Sequence, residues 1–169
     1  MGGRTGWIRV DANSEIGAGH LMRCLTIADA MAHSKNVQNR ITPVFIAADS
    51  NAQETIQQHG YECVVLHTEY RNMEEELPVM QNLYEQYCKQ AVQGRAVDLP
   101  GFLLVDSYSA TKDYLEQMNE LLPVYYMDDI LCPDYRITGL INYNVYATSL
   151  PYRISVLAGN HNYPSERMH

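Results

Sequence analysis

The chain has 169 residues, a size that suits one domain with a sizeable core. Its residues are 46% hydrophobic and 19% charged, as in ordinary folded proteins, and a net charge of −8 argues against a nucleic-acid or anionic-membrane surface. No apolar run approaches a membrane span and no leader pattern opens the chain. The cysteines, Cys24, Cys63, Cys88 and Cys132, lie far apart without C-x-x-C, which points to reduced thiols in a cytoplasmic protein.

In chain order, Met1 to Gly6 is polar and glycine-rich and reads as a frayed or appended end. Trp7 to Val10 is the first strand, an apolar run ending on Asp11, Asn13 and Ser14. A turn, Gly17-Ala18-Gly19, follows, and His20 opens an amphipathic helix with Leu21, Leu25, Ala28 and Ala32 at helical spacing. This places His20 at the carboxyl edge of a first strand, where open α/β sheets bind ligands. Gly17 and Gly19 allow a turn and a close approach to the main chain. The helix beyond them turns free N–H groups and its positive end toward the same space. The loop is not the dinucleotide fingerprint, because the third glycine is missing and no acidic residue ends the second strand at the expected distance. The helix end and Arg23, three residues on, both disfavour an imidazolium, so His20 is expected to be neutral near pH 7 and able to accept a proton. An exposed or helix-capping histidine is the simpler alternative.

Ile41 to Ala48 reads as a second, buried strand. Asp49 or Ser50 is expected to cap a short helix running to His59, which Gly60 ends. Tyr61 to His67 is the third strand. Residues 72–93 carry a helical pattern interrupted at Pro78, with Leu77, Met80, Leu83, Tyr84 and Tyr87 at its apolar positions. Glu74, Glu75 and Glu76 read as a solvated acidic face rather than a metal site, since adjacent helical carboxylates diverge. Phe102 to Val105 is the fourth strand and delivers Asp106 and Tyr108. Thr111 to Leu122 is a helix, and Pro123 to Met127 the fifth strand, delivering Asp128 and Asp129. Gly139 to Asn142 and Ile154 to Leu157 complete a set of about seven strands. The alternation predicts an α/β fold, a Rossmann-like parallel sheet with helices on both faces, over the single domain 1–169.

Asp11, Asp106 and Asp128/Asp129 all follow strands. They either gather near the His20 loop or cap the helices that follow. Asn142 and Asn144 either meet sugar hydroxyls or form turns.

The string DANSEIGAGHLMRCLTIADA, residues 11–30, resembles the start of the UDP-2,4-diacetamido-2,4,6-trideoxy-β-L-altropyranose hydrolases of pseudaminic acid biosynthesis, which are built like GT-B glycosyltransferases. The likeness continues in family order through Val105-Asp106-Ser107-Tyr108, Asp128-Asp129 and Asn142-Tyr143-Asn144-Val145-Tyr146-Ala147. A weaker echo of the glycine–tyrosine–arginine ending falls on Gly159, Tyr163 and Arg167. The glycine–tyrosine spacing there is one residue longer, and Ser165 and Glu166 stand where apolar residues are expected.

The resemblance implies the amino-terminal half of a GT-B-type fold. The carboxy-terminal nucleotide-binding domain would then be absent from this chain and supplied by a missing second domain or a partner chain. It implies hydrolysis of a nucleotide-linked, UDP-type amino-deoxy sugar at the anomeric carbon, with His20 as general base on the attacking water. Gly17, Gly19, Arg23, Asp106, Tyr108, Asn142, Asn144 and Asp11 would bind substrate or position the loop. No cofactor and no metal are expected. Residues 1–169 alone are expected to bind UDP weakly and to turn over poorly. Three alternatives stand beside this reading. One is a GT-B glycosyltransferase, since lipid-linked glycan transferases also carry a glycine–histidine turn. Another is a non-catalytic sugar-binding or interaction domain. The third is a spore-coat or capsular polysaccharide assembly protein of similar fold.

Overall fold

Trp7 and Ile8 are neighbours in strand β1 (Arg4–Val10), both fully buried, and they belong to different cores. Side chains alternate across a strand, so a strand buried on both sides must be covered by helices on both sides. The computed structural model describes residues 4–94, 98–127, 134–142 and, by backbone alone, 156–158.

Helices α1 (Gly19–Ala32) and α2 (Gln53–Gln58) cover one face, packing Leu21, Cys24, Leu25, Ala28, Ala52 and Ile56 against Ile8, Val10, Phe45 and Leu104. Helices α3 (Leu77–Val92) and α4 (Lys112–Leu121) cover the other, packing Met80, Tyr114, Leu115 and Met118 against Trp7, Val44, Ile46, Leu103 and Val105. The Trp7 indole stands edge-on to Tyr84 and Tyr87 of α3, at ring separations of 6.1 and 5.4 Å, a favoured aromatic arrangement. Among the described residues no helix is long and apolar enough to cross a membrane.

The remaining strands are β2 (Ile41–Ala47), β3 (Glu62–Val65), β4 (Pro100–Asp106), β5 (Val124–Met127), β6 (Gly139–Asn142) and the short β7 (Val156–Ala158). All pair in parallel, in the order β3-β2-β1-β4-β5-β6-β7. The chain winds outward from β1 through β2 to β3, then returns along α3 to place β4 on the other side of β1. Its switch point therefore lies between β1 and β4, where Val10 and Asp106 are register partners.

Four local expectations change. The chain end is not frayed through Gly6, because Arg4, Thr5 and Gly6 pair with Ile41, Thr42 and Pro43 in the sheet. Pro78 does not interrupt a helix but sits in the first turn of α3, where its missing N–H costs nothing. Neither Asp49 nor Ser50 caps α2. Asp49 instead accepts the Asn51 N–H in a turn, and α2 follows Ala52. The acidic run is not a solvated face throughout, because Glu76 is fully buried. Glu76 bonds both Nε and Nη2 of Arg9, a guanidinium fully buried inside the central strand. Arg9 Nη1 lies 2.6 Å from Asp11 Oδ2 as well. Burial works against the Arg9 charge, but Glu76 and Asp11 outweigh it and hold the guanidinium firmly protonated.

Candidate functional site

The loop between β1 and α1 is shaped by Asn13. Its side-chain oxygen accepts the N–H groups of Glu15 and Ile16, each at 2.9 Å, and its carbonyl accepts the Gly17 N–H at 2.9 Å. Gly17 has φ +75°, a left-handed turn that a Cβ would strain. Gly19 has no such conformation. It is the first residue of α1, and a Cβ there would meet nothing within 4 Å. The fold itself therefore does not demand glycine at 19, and the space beside it is open. No side chain caps α1, so its first-turn amides face the same region.

His20, the next residue, lies at the carboxyl edge of the sheet and is 7% exposed. Its Nδ1 is 2.5 Å from Oδ1 of Asp106 at the end of β4. Arg23, one turn along α1, grips the same carboxylate with two bonds, Nε to Oδ2 at 2.8 Å and Nη2 to Oδ1 at 2.6 Å. The Cys24 thiol donates to Oδ2 at 3.5 Å. Burial opposes the Asp106 charge, yet the hydrogen bonds from His20 and Arg23 outweigh it and hold the carboxyl below the usual aspartate range. An ionised Asp106 places the imidazole proton on Nδ1, so a proton taken up by His20 goes to Nε2. Arg23 Nη2, 3.2 Å from Nδ1, is then a neighbour rather than a donor to it. Sequence shows the helix end and Arg23 beside His20; the Asp106 carboxylate on the imidazole comes only from the fold.

Tyr108 stands edge-on to His20, with ring centres 4.4 Å apart and planes at 87°, and is 60% exposed. A small groove runs between them, lined by Asp11, Ile16, His20, Asp106, Ser107, Tyr108 and Ser109. Ser107 Oγ accepts the Ser109 N–H at 3.1 Å, which turns the chain after β4 and leaves Tyr108 outside.

Two expected substrate contacts have other occupations. Asp106 is 1% exposed and its oxygens are taken by His20, Arg23 and Cys24, so it orients neighbours. Asp11 accepts the Ala48 N–H at 2.9 Å through Oδ1 and pairs with Arg9 through Oδ2, bracing the ends of β1 and β2. Asn142 is buried at the end of β6, two strands from β4. Asn144, Asp128, Asp129, Gly159, Tyr163, Arg167 and Cys132 lie outside the described residues. Cys24 and Cys63 are free thiols; burial pushes both up, Cys63 to about 11, so neither is a ready nucleophile. Among the described residues no group of three or more His, Cys, Asp or Glu is arranged to hold a metal ion.

Sequence reasoning missed Arg9, Glu76 and the His20–Asp106 pairing. A charged residue inside an apolar strand was the available signal for the first, since a buried cation needs a buried anion. Nothing local pointed to Glu76 as that anion.

These features define the class: an α/β chain whose Rossmann-like, all-parallel sheet carries a histidine–aspartate pair and a polar groove at its switch point. No protein-family model matches the chain, and neither the curated proteins nor the solved structures give a match.

Proposed function

We propose that this chain hydrolyses a nucleotide-linked sugar, UDP-linked and of the amino-deoxy type, at its anomeric carbon, with His20 as general base. The observation that carries the reading is the His20 Nδ1–Asp106 contact at 2.5 Å. A carboxylate on one ring nitrogen fixes the tautomer and leaves Nε2 to take a proton from water. Arg23 holds that carboxylate in place, and the groove beside Tyr108 and Ser109 is of a size for the attacking water, with the sugar lying over its mouth. The open space beside Gly19 lets the ligand approach the main chain.

Departure of a nucleoside diphosphate needs little proton donation, because the leaving group is already a weak base. It needs dipoles that meet its growing charge instead. The uncapped first turn of α1 supplies some of these. A second Rossmann-like domain, in the same protein or a partner chain, supplies the rest and completes a GT-B-type cleft. The role is in bacterial surface-glycan biosynthesis, of the pseudaminic acid kind or a spore-coat or capsular kind.

The test is mass spectrometry of products from a panel of UDP-linked sugars, with and without a sugar acceptor. Free sugar together with UDP supports hydrolysis. A new glycoside on the acceptor makes the protein a transferase, and binding without any product makes it a sugar-binding module.

A further inference from the structure

The β1–α1 loop is gripped from outside by the segment that follows β3. His67 takes a left-handed conformation, φ 58°, which a non-glycine residue adopts at a cost. The turn it makes lets Thr68 donate its N–H to the Ala48 carbonyl at 3.1 Å and its hydroxyl to buried Glu76 at 3.3 Å. Beyond that anchor the arm is bonded to itself: Arg71 N–H to the Glu69 side chain at 3.3 Å, and Asn72 N–H to the Glu69 carbonyl at 2.9 Å. What it presents is a pair of side chains. The Tyr70 hydroxyl donates to Glu15 Oε2 at 2.6 Å, the Arg71 guanidinium bonds the same oxygen, and Arg71 stacks 5.3 Å above the Tyr70 ring.

We propose that residues 67–72 are a clamp on the glycine loop, and that Glu15, Tyr70 and Arg71 are positioning residues that set the path of Gly17 to Gly19 and so the stance of His20. Its consequence for turnover rests on the reading of His20 above. Glu15 is the tip of the loop, two residues before the left-handed Gly17 and five before His20. An arm rooted on the buried Arg9–Glu76 pair therefore holds the loop that leads to the candidate base. Arg71 and Glu15 are 63% and 61% exposed, and an exposed ion pair is weak and screened by salt. The clamp thus opens readily, which suits a loop that must admit a ligand.

Amide hydrogen exchange read by NMR tests this in the protein without any substrate. The amides to follow are Ile16 and Gly17, both bonded to Asn13 in the clamped loop. Arg71→Ala should speed their exchange by about fivefold, the range of an exposed pair. Arg71→Lys should stay near wild type, and Tyr70→Phe and Glu15→Gln should fall between. Sodium chloride at about 1 M, where screening acts within about 3 Å, should speed the wild type and add nothing to Arg71→Ala. Unchanged exchange in both Arg71→Ala and Tyr70→Phe would overturn the clamp. So would an equal acceleration at Leu104 and Val105 in β4, because the change would then be a general loosening. No substrate enters the readout, so hydrolysis and the clamp can each fail while the other stands.

Discussion

His20 and Asp106 lie 86 positions apart in sequence and meet at 2.5 Å because the chain returns to β1 after leaving it. Winding from β3 back to β4 makes Val10 and Asp106 lateral neighbours, and α1 starts directly above that pair. The same crossing gives Arg23 its two bonds to the carboxylate. A proton acceptor, its orienting anion and the anion's own counter-charge are thus assembled by topology at one point.

Removing the anion should show in stability and in its pH dependence. In Asp106→Asn, Arg23 and His20 lose a charged acceptor, with an expected loss of about 1–3 kcal/mol near neutral pH. Asp106 titrates lower in the folded protein than its ordinary value near 3.8, so its contribution is present above that value and is lost as pH falls through the folded one. Urea melts of both proteins should therefore differ most above about pH 5 and converge as pH falls below the ordinary aspartate range. A gap that stays constant across this range would mean that Asp106 is not ionised in the folded chain.

The buried ion pair offers a second measurement. Glu76→Ala takes from the buried Arg9 guanidinium the carboxylate that holds two of its nitrogens and leaves it Asp11. The loss should therefore lie toward the lower end of the about 3–5 kcal/mol that breaking one side of a buried pair costs. Glu76→Gln still accepts from Arg9 and should lose clearly less. Denaturant midpoints rank the two variants. Equal losses would show that the charge of the side chain matters and that its packing and remaining acceptor oxygen do not.

Gly6 supplies a third. A Cβ on Gly6 would run into the ring of Phe102, which stands edge-on to Tyr125 at 6.0 Å. Gly6→Ala should therefore cost about 1–3 kcal/mol through overpacking. Adding Phe102→Leu should make Gly6→Ala less costly than it is in the wild type, measured as a double-mutant cycle. Independent, additive losses would place the strain elsewhere.

The sheet was legible because buried parallel strands read as short apolar runs, each ended by a polar residue. Gly139–Asn142 coincides with its expected bounds, and Thr111, as expected at the head of its helix, caps α4 by accepting the Tyr114 N–H. What local patterns could not carry was pairing between distant segments. Local pattern makes the run around Arg9 apolar and groups its partner Glu76 with solvated neighbours, because burial depends on where the 73–76 turn lands on the sheet. The strand ends put Asp106 and His20 both at the ligand edge, but their contact needs the strand order. Gly17 makes the turn that its motif indicates and needs glycine for it, whereas Gly19 shares the motif without sharing the backbone reason.

The decisive comparison replaces the histidine, assayed in the intact protein with any partner domain the reaction needs. His20→Asn keeps an amide able to donate to Asp106, so the Asp106–Arg23 pair and the fold should survive. His20→Ala removes the contact as well. If Nε2 takes the proton from water, neither variant retains a base there, and both should lose turnover by about 10²–10⁴-fold. Affinity should change far less, because the imidazole serves the water rather than the sugar. Arg23→Lys should be milder in rate, since a lysine can hold one Asp106 oxygen but not both, and the acidic limb of the rate profile should move with the altered field. Thermal melts keep the comparison fair, because a rate loss counts only in a folded variant. A folded His20→Ala protein that turns over near the wild-type rate would end the general-base reading. Preserved turnover at saturation with weakened binding would make His20 a substrate contact instead.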